Sequence, residues 1–146
     1  MASMIGSKVE RKEDKKILTG KGRYTADINL HNQTYAIFIR SPHARAKSKS
    51  IDTSKAKKAS GVVDVLTGKE LQDDKIGGLI AGWKIVSKDG TDMKCPAHPA
   101  LATDTVNYVG DHVALVIAES LQEAKDAAEL VNVEYKVLKA VASTGQ

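Results

Sequence analysis

The 146-residue chain has little of several residue types that mark particular classes of protein. It contains one cysteine, Cys95, so no internal disulfide can form and nothing demands export. Its polar N-terminus lacks the apolar core of a secretory signal, and no apolar run approaches the ~20 residues of a membrane span. Aromatic residues are only 4%, which leaves few stacking platforms for nucleic-acid bases. We therefore expect a cytoplasmic protein without a membrane span.

The residues that are present are typical of one globular domain. Hydrophobic residues make up 42% of the chain and charged residues 27%. Residues 1–75 carry 16 Lys/Arg and 9 Asp/Glu, a net +7, whereas residues 76–146 carry 6 and 9, a net −3. The basic residues are interspersed with acids and serines and lack neighbouring aromatics. This pattern favours a solvated or docking face over nucleic-acid binding, and we expect no nucleic-acid partner.

The hydrophobic pattern predicts four strands. Residues 34–40 are apolar on both faces, so this strand is expected to be buried on both sides and to end before Pro42. Residues 62–66 are a short β-branched strand. Residues 113–118 form a continuous apolar strand, expected at the centre of a sheet, and residues 133–137 alternate with one solvated face.

Capping patterns predict the helices. Thr67–Glu70 and Ser120–Glu123 both have the spacing of a capping box, so a helix is expected to start at each. Apolar positions recur at helical spacing over residues 121–131, which predicts an amphipathic helix that packs across the sheet. A further short helix is predicted over residues 52–60, capped at its first or second position. The pattern alone indicates the α/β class.

Two stretches lack a clear period. Residues 4–33 are polar and are predicted to form an extended arm with turns at Gly20 and Gly22. Residues 73–104 are rich in glycine and include the only tryptophan, Trp83. So long a stretch without regular structure inside a compact domain is unusual and is often a contact surface.

The only nearby cysteine and histidine are Cys95 and His98, and we interpret both as loop residues. A zinc site needs four ligands in spaced pairs, and haem attachment needs two cysteines before the histidine. His98 is positioned in sequence to activate Cys95 as a nucleophile, but no third residue is evident that would orient the histidine.

The histidines His31, His43, His98 and His112 are scattered along the chain. His43 is the one of interest, because it follows the predicted end of the strand at Arg40. A polar loop at a strand end can line a substrate channel. Hydrogen bonding within the local turn is the favoured interpretation.

Three other patterns have functional alternatives. Met93-Lys94-Cys95 is similar to the Met-Lys-Met tip of biotin carrier domains, with a different third residue, so a carrier modified at Lys94 stays an alternative. Gly20–Arg23 combines glycines with cations, but a phosphate loop lies between a strand and a helix N-terminus, so a turn is favoured. Asp27 and Asp52 are interpreted as turn and cap residues.

Five segments in order give the chain a specific resemblance, which runs over residues 5–141. It resembles the N-terminal domain of the large subunit of the molybdenum hydroxylases, the family of aldehyde oxidase, xanthine dehydrogenase and carbon monoxide dehydrogenase. The segments are Gly20–Ile28 (GKGRYTADI), Arg40–Ala46 (RSPHARA), Gly61–Gly68 (GVVDVLTG), Tyr108–Ala114 (YVGDHVA) and Val133–Tyr135 (VEY).

The resemblance implies the α/β-hammerhead fold, a mixed sheet with flanking short helices. Residues 1–4 would be a leader or flexible start, and residues 142–146 the start of a linker to molybdopterin-binding domains. Several relatives carry histidine where this chain has Arg45, which leaves any role of that histidine in doubt here. Residues 81–99 are most similar to carbon monoxide dehydrogenase-like large chains.

The resemblance also implies a parent oxidoreductase that hydroxylates carbon with water-derived oxygen or oxidises carbon monoxide. In the family, later domains hold the molybdopterin cofactor and a general-base glutamate, and partner subunits or domains carry iron–sulfur clusters and FAD. The glutamates of this chain are explained by a predicted helix and strand: Glu119, Glu123, Glu129 and Glu134. We therefore name no catalytic, cofactor-binding or metal-binding residue, and expect the chain alone to be inactive and to bind no molybdopterin.

The expected partners are the molybdopterin-binding domains of the same subunit and the iron–sulfur and flavin subunits. A docking face left uncovered in isolation is expected to drive self-association. The alternative to a domain of an enzyme is a stand-alone interaction module with the same fold.

Overall fold

The computed structural model describes residues 6, 8, 10–80 and 82–143. These divide into two units, one ending at Gln33 and one beginning at Thr34. The predictions for residues 1–4 and for the last three residues of the linker, 144–146, lie outside the described residues. Within the described ranges, no helix is long and apolar enough to cross a membrane.

The first unit contains helix α1, Asp14–Leu18, and a 3-10 turn, Thr25–Asp27. The prediction of an extended arm is therefore wrong over α1, where Asp14 in the first turn pairs with Arg11 (Nε–Oδ1, 3.1 Å) and favours the helix. The predicted turn at Gly20 is confirmed, because this residue has a left-handed φ of 67° after the helix.

The Gly20–Arg23 segment follows the C-terminus of α1. The amides of Lys21 and Gly22 both donate to the carbonyl of Lys16 (2.8 Å each), so these donors are already used. This arrangement matches the predicted turn and not a phosphate loop. Asp27 accepts a hydrogen bond from the amide of Tyr24 (2.9 Å), in agreement with its predicted place in a turn.

In the second unit, six strands form two three-stranded sheets. The first has the order β1 (Tyr35–Arg40), β5 (His112–Ala118), β3 (Val62–Thr67), and both pairings are antiparallel. The continuous apolar sequence of β5 predicted its central place correctly. The pairing follows from that sequence, since a strand buried on both faces is stable only between neighbours that cover its hydrogen-bonding edges.

The second sheet has the order β4 (Thr105–Val106), β2 (Ala46–Asp52), β6 (Asn132–Val137), again antiparallel. The resemblance implied a mixed sheet. In the part of the chain described, the strands instead form two small antiparallel sheets. Strand β2 was missed because its sequence, AKSKSID, is mostly polar, and pairing with β6 overrides its weak strand propensity.

Two further predictions need correction. Strand β1 is not buried on both sides: as an edge strand covered on one face, it leaves Phe38 42% exposed. The predicted helix over 52–60 is only a 3-10 turn, Ala56–Lys58, because β2 extends to Asp52. Asp52, interpreted as a turn or cap residue, accepts a hydrogen bond from the amide of Ser54 (2.9 Å) in a local turn just before the 3-10 turn, which has no side-chain cap.

Helix α3, Leu121–Glu129, packs across all three strands of the first sheet, as predicted. Ser120 caps it by accepting a hydrogen bond from the amide of Glu123 (3.2 Å). Its small residues Ala124 and Ala127 are fully buried, and Ala127 lies in a core cluster with Val65 and Val116. Alanines on this face let the helix approach the sheet closely. Each valine side chain buried there contributes about 1.5–3 kcal/mol to the free energy of unfolding.

Helix α2, Gly68–Asp73, begins at the predicted capping box. Glu70 accepts from the amide of Thr67 (3.0 Å), and the Thr67 hydroxyl also bonds to the Glu70 carboxylate. The first residue of α2 lies against the backbone of the segment that precedes β4. A Cβ built on Gly68 would lie 2.5 Å from the carbonyl oxygen of Ala102 and 2.8 Å from that of Leu101.

We expect Gly68→Ala to lower the free energy of unfolding by about 1–3 kcal/mol, because the methyl group meets rigid backbone. Gly77→Ala is the matched control, since a Cβ there has nothing within 4 Å and should leave stability unchanged or slightly raised. Urea unfolding of both variants measures the difference. Equal stability of the two variants would contradict the close packing of α2.

Candidate functional site

The end of β1 and the start of β5 meet in a buried polar corner, here called the strand-end corner (residues 40–43 and 107–111). Ser41 and Asp111, 2% and 4% exposed, are the buried polar residues of the described part of the chain. Two backbone hydrogen bonds join the two segments. The amide of Ser41 donates to the carbonyl of Asp111, and the amide of Gly110 donates to the carbonyl of Ser41 (2.8 Å each).

The side chains of the corner are engaged internally. The Ser41 hydroxyl accepts from the amide of His43 (3.0 Å) and donates to its carbonyl (3.1 Å). The carboxylate of Asp111 accepts from the amide of Asn107 (2.9 Å), and Arg40 donates to the carbonyl of Gly110 (3.2 Å). The prediction that His43 takes part in local turn hydrogen bonding is confirmed.

The ring of His43 packs edge-on against Tyr135 of β6, with ring centroids 5.0 Å apart. Burial raises the pKa of the Tyr135 phenol; the neighbouring Ser41 hydroxyl opposes this, and the nearby Asp111 carboxylate raises the pKa further. This arrangement holds the corner in place. Among the described residues of the corner, no nucleophile is paired with an oriented base.

The other histidines do not converge on one point. His112 stacks on Phe38 (ring centroids 4.4 Å), and His98 lies 3.4 Å from the hydroxyl of Tyr108. Cys95 is exposed. His31 is exposed in the first unit.

Three of the four glutamates lie on the predicted helix or strand, whereas Glu119 lies in the short link between β5 and α3. Glu123 and Glu129 lie on α3, Glu134 on β6, and Glu119 is exposed just after β5. Across the described residues, no three His, Cys, Asp or Glu side chains come together in a way that could hold a metal ion. Ser41 and Asp111 are already hydrogen-bonded within the chain.

Residues 76–80 and 82–98, here called the hairpin segment, are more ordered than the sequence predicts. The amide of Ser87 donates to Thr91 O (2.8 Å) and that of Met93 to Ile85 O (3.0 Å), which makes a small β-hairpin. Asp89 accepts from the amide and hydroxyl of Thr91, and Gly90 has a φ of 80°. The Asp-Gly pair is a hairpin-turn signal that would have found this turn.

The turn of the hairpin lies at Asp89 and Gly90, so Lys94 follows the second arm and is not at the tip. This position argues against a carrier lysine, which has to stand at a turn. The hairpin segment instead exposes large apolar side chains close together in the chain. They are Ile76, Leu79, Ile80, Trp83, Ile85, Val86 and Met93.

Trp83 is 79% exposed and Ile80 93% exposed. Single exposed apolar residues are normal on protein surfaces, but a concentration of them marks an interaction surface. The segment is therefore the strongest candidate docking surface in the described chain. That the stretch 73–104 is a contact surface stays a prediction, and its regular structure was missed.

A family model described as "Aldehyde oxidase and xanthine dehydrogenase, a/b hammerhead domain" matches residues 19–139. The chain belongs to this family, and its fold is the α/β hammerhead that the resemblance implied. The match includes both the strand-end corner and the hairpin segment.

Curated relatives agree. The chain is 40% identical over 139 residues to the nicotine 6-hydroxylase large subunit of Paenarthrobacter nicotinovorans, covering 95% of this chain and 16% of that protein. It is 38% identical over 136 residues to the carbon monoxide dehydrogenase large chain of Afipia carboxidovorans, covering 92% and 15%. The chain thus spans about one sixth of the length of these relatives.

A solved structure shows the same fold. Quinoline 2-oxidoreductase from Pseudomonas putida 86 superposes with a TM-score of 0.79 at 37% identity, covering 93% of this chain and 16% of that one. The similarity to this structure therefore covers both the sequence and the fold of nearly the whole chain.

The raised pKa of Tyr135 predicts a pH dependence of stability. Because the folded-state pKa lies above the ordinary value of 10.0, the neutral phenol contributes its full stability below pH 10.0, and the contribution is lost as pH rises through the folded-state pKa. Above pH 10.0, we expect the free energy of unfolding to fall less steeply with rising pH in Tyr135→Phe than in wild type. Urea unfolding at a series of alkaline pH values measures it. Tyr24→Phe, at a 63% exposed site, should behave as wild type; equal slopes for all three proteins would refute the prediction.

Proposed function

We propose that this chain serves as the hammerhead domain of a molybdopterin-dependent oxidoreductase large subunit, where it has a structural and interface role. The observation that carries the proposal is the match of nearly the whole chain to about one sixth of such subunits. The chemistry would belong to the other five sixths, with molybdopterin in later domains and iron–sulfur clusters and FAD on partner subunits or domains.

The structure supports an interface role. The hairpin segment exposes seven large apolar side chains, and exposing apolar surface to water costs free energy. Covering it with the molybdopterin-binding domains of the same subunit removes that cost. The strand-end corner supplies rigidity without offering a catalytic group. We place the assembled enzyme in the cytoplasm and treat residues 5–141 as one functional domain joined to the rest by a linker from residue 142.

A second candidate, a stand-alone interaction module, is favoured by the same exposed segment. In that case a separate protein would cover Trp83 and its neighbours, or copies of the chain would associate through them. The carrier alternative requires a modified Lys94, which the position of the hairpin turn disfavours.

Isolation of the natural protein distinguishes these functions. An antibody against the chain should recover from its source a polypeptide about six times longer, the ratio implied by the 16% coverage, together with bound molybdenum measured by inductively coupled plasma mass spectrometry. A long polypeptide without molybdenum would refute the cofactor part of the proposal. A 15.7 kDa species would establish the stand-alone module, and a mass increase on Lys94 would establish the carrier.

A further inference from the structure

Strand β1 lies at an open edge of the first sheet. Among the described residues of the second unit, β5 is its one strand neighbour, and no backbone hydrogen bond joins residues 35–40 to any other described segment. Phe38 is 42% exposed, and Ile37 and Ile39 are only half-buried although they lie on the face that α3 covers. An edge of this kind offers unpaired amide and carbonyl groups to another strand.

The other sheet edges of the second unit carry features that discourage pairing. Strand β3 has a register shift between Val62 and Asp64, and the Asp64 carboxylate is paired with Lys57 of the adjoining 3-10 turn (Oδ1–Nζ, 3.8 Å). Strand β6 carries charged residues at alternate positions, Glu134 and Lys136, and β4 is only two residues long. Bulges, charges and short strands are the means by which proteins block association at an edge.

Strand β1 carries none of these features. It is six residues long, its first five residues (YAIFI) are uncharged, and the extra residue in its pairing with β5, Val113, belongs to β5. The guanidinium of Arg40, its one charged group, donates to the carbonyl of Gly110 in the strand-end corner (3.2 Å). An unprotected edge beside three protected ones indicates that another strand pairs with β1.

The hydrogen bonds of Ser41 show which backbone groups of β1 face the open edge. The amide of Ser41 donates to the segment that leads into β5, and its carbonyl accepts from the same segment. Backbone groups alternate in direction along an extended strand, so Ala36, Phe38 and Arg40 direct theirs away from β5. An antiparallel partner would therefore form its hydrogen bonds with these three residues.

The sequence of β1 is complementary to itself in the antiparallel direction. When Phe38 lies opposite Phe38 of a second copy, Ala36 lies opposite Arg40. On the other face of the strand, Ile37 lies opposite Ile39. The two arginines are then at opposite ends of the pairing and no like charges are opposed, whereas parallel pairing in register would place them side by side. Opposed aromatic side chains also stabilise a strand pair.

We propose that β1 pairs with β1 of a second copy of this chain, antiparallel and centred on Phe38, so that the two first sheets form one six-stranded sheet. Both α3 helices then cover one face of this sheet, and the two Phe38 side chains meet on the other. The interface uses the same residues of both copies and closes after two, as in a symmetric dimer. It is separate from the hairpin segment and independent of the proposed function.

Amide hydrogen exchange of the full 146-residue chain, followed by NMR at increasing protein concentration, tests the pairing alongside analytical ultracentrifugation. We expect a monomer–dimer equilibrium in which the amides of Ala36, Phe38 and Arg40 become protected as the dimer forms. A monomer at every concentration would overturn the proposal, as would a dimer that leaves these amides unprotected. Protection of these amides in a longer natural polypeptide that does not self-associate would assign the edge to another segment and also overturn it.

Charges introduced at position 38 test the register. Phe38→Lys and Phe38→Glu should each weaken dimerisation about tenfold, because each opposes two like charges and removes the aromatic pair. Mixing the two variants should restore a dimer that contains one copy of each, since opposite charges then face each other. Val63→Lys, at a 58% exposed position on the opposite edge of the same sheet, is the matched control and should dimerise as wild type.

Trp83→Ser separates this interface from the hairpin segment. The substitution removes the largest exposed apolar side chain of that segment and should leave the dimer of β1 strands unchanged. Loss of the dimer in Trp83→Ser with full dimerisation of both Phe38 variants would refute the pairing. A mixture of the Phe38 variants that dimerises no better than either variant alone would refute the register centred on Phe38.

Discussion

The reciprocal backbone hydrogen bonds between Ser41 and the Gly110–Asp111 pair are the constraint on which the second unit depends. They fix where β5 begins, and β5 takes part in both cores: Val113 packs in the cluster under the second sheet and Val116 in the cluster under α3. A shift of this strand by one residue would exchange its two faces and disrupt both clusters. The buried side chains of Ser41 and Asp111 therefore stabilise the position of β5.

The hairpin segment contrasts with this core. It is held by a few backbone hydrogen bonds and one Asx-type turn, and its large apolar side chains face solvent. Rigid strands that present a weakly held apolar segment are well suited to docking, because the scaffold keeps its shape while the segment adapts to its partner. This division between a fixed core and an exposed segment fits the proposed interface role.

Elements with strong local signals were predictable from sequence. The apolar run of β5 and the capping residues Thr67 and Ser120 each specified their element, because burial and capping act over a few residues. Strand β2 was not predictable, since its polar sequence forms a strand only through pairing with β6. The strand-end corner was partly predictable: the local bonds of His43 follow from the turn, but the approach of Asp111 depends on tertiary structure. The place of β1 at an open edge was not predictable, because the order of strands in a sheet is set by tertiary pairing.

Native-state amide hydrogen exchange tests the central claim most directly. The account predicts that the amides of Ser41 and Gly110 exchange with the same free energy as the amides of β5, because they open only when that strand opens. The amides of Ser87 and Met93 in the hairpin segment should exchange at a clearly lower free energy. If the Ser41 amide exchanged as readily as that of Ser87, the strand-end corner would not be the constraint that positions β5, and the account would be contradicted.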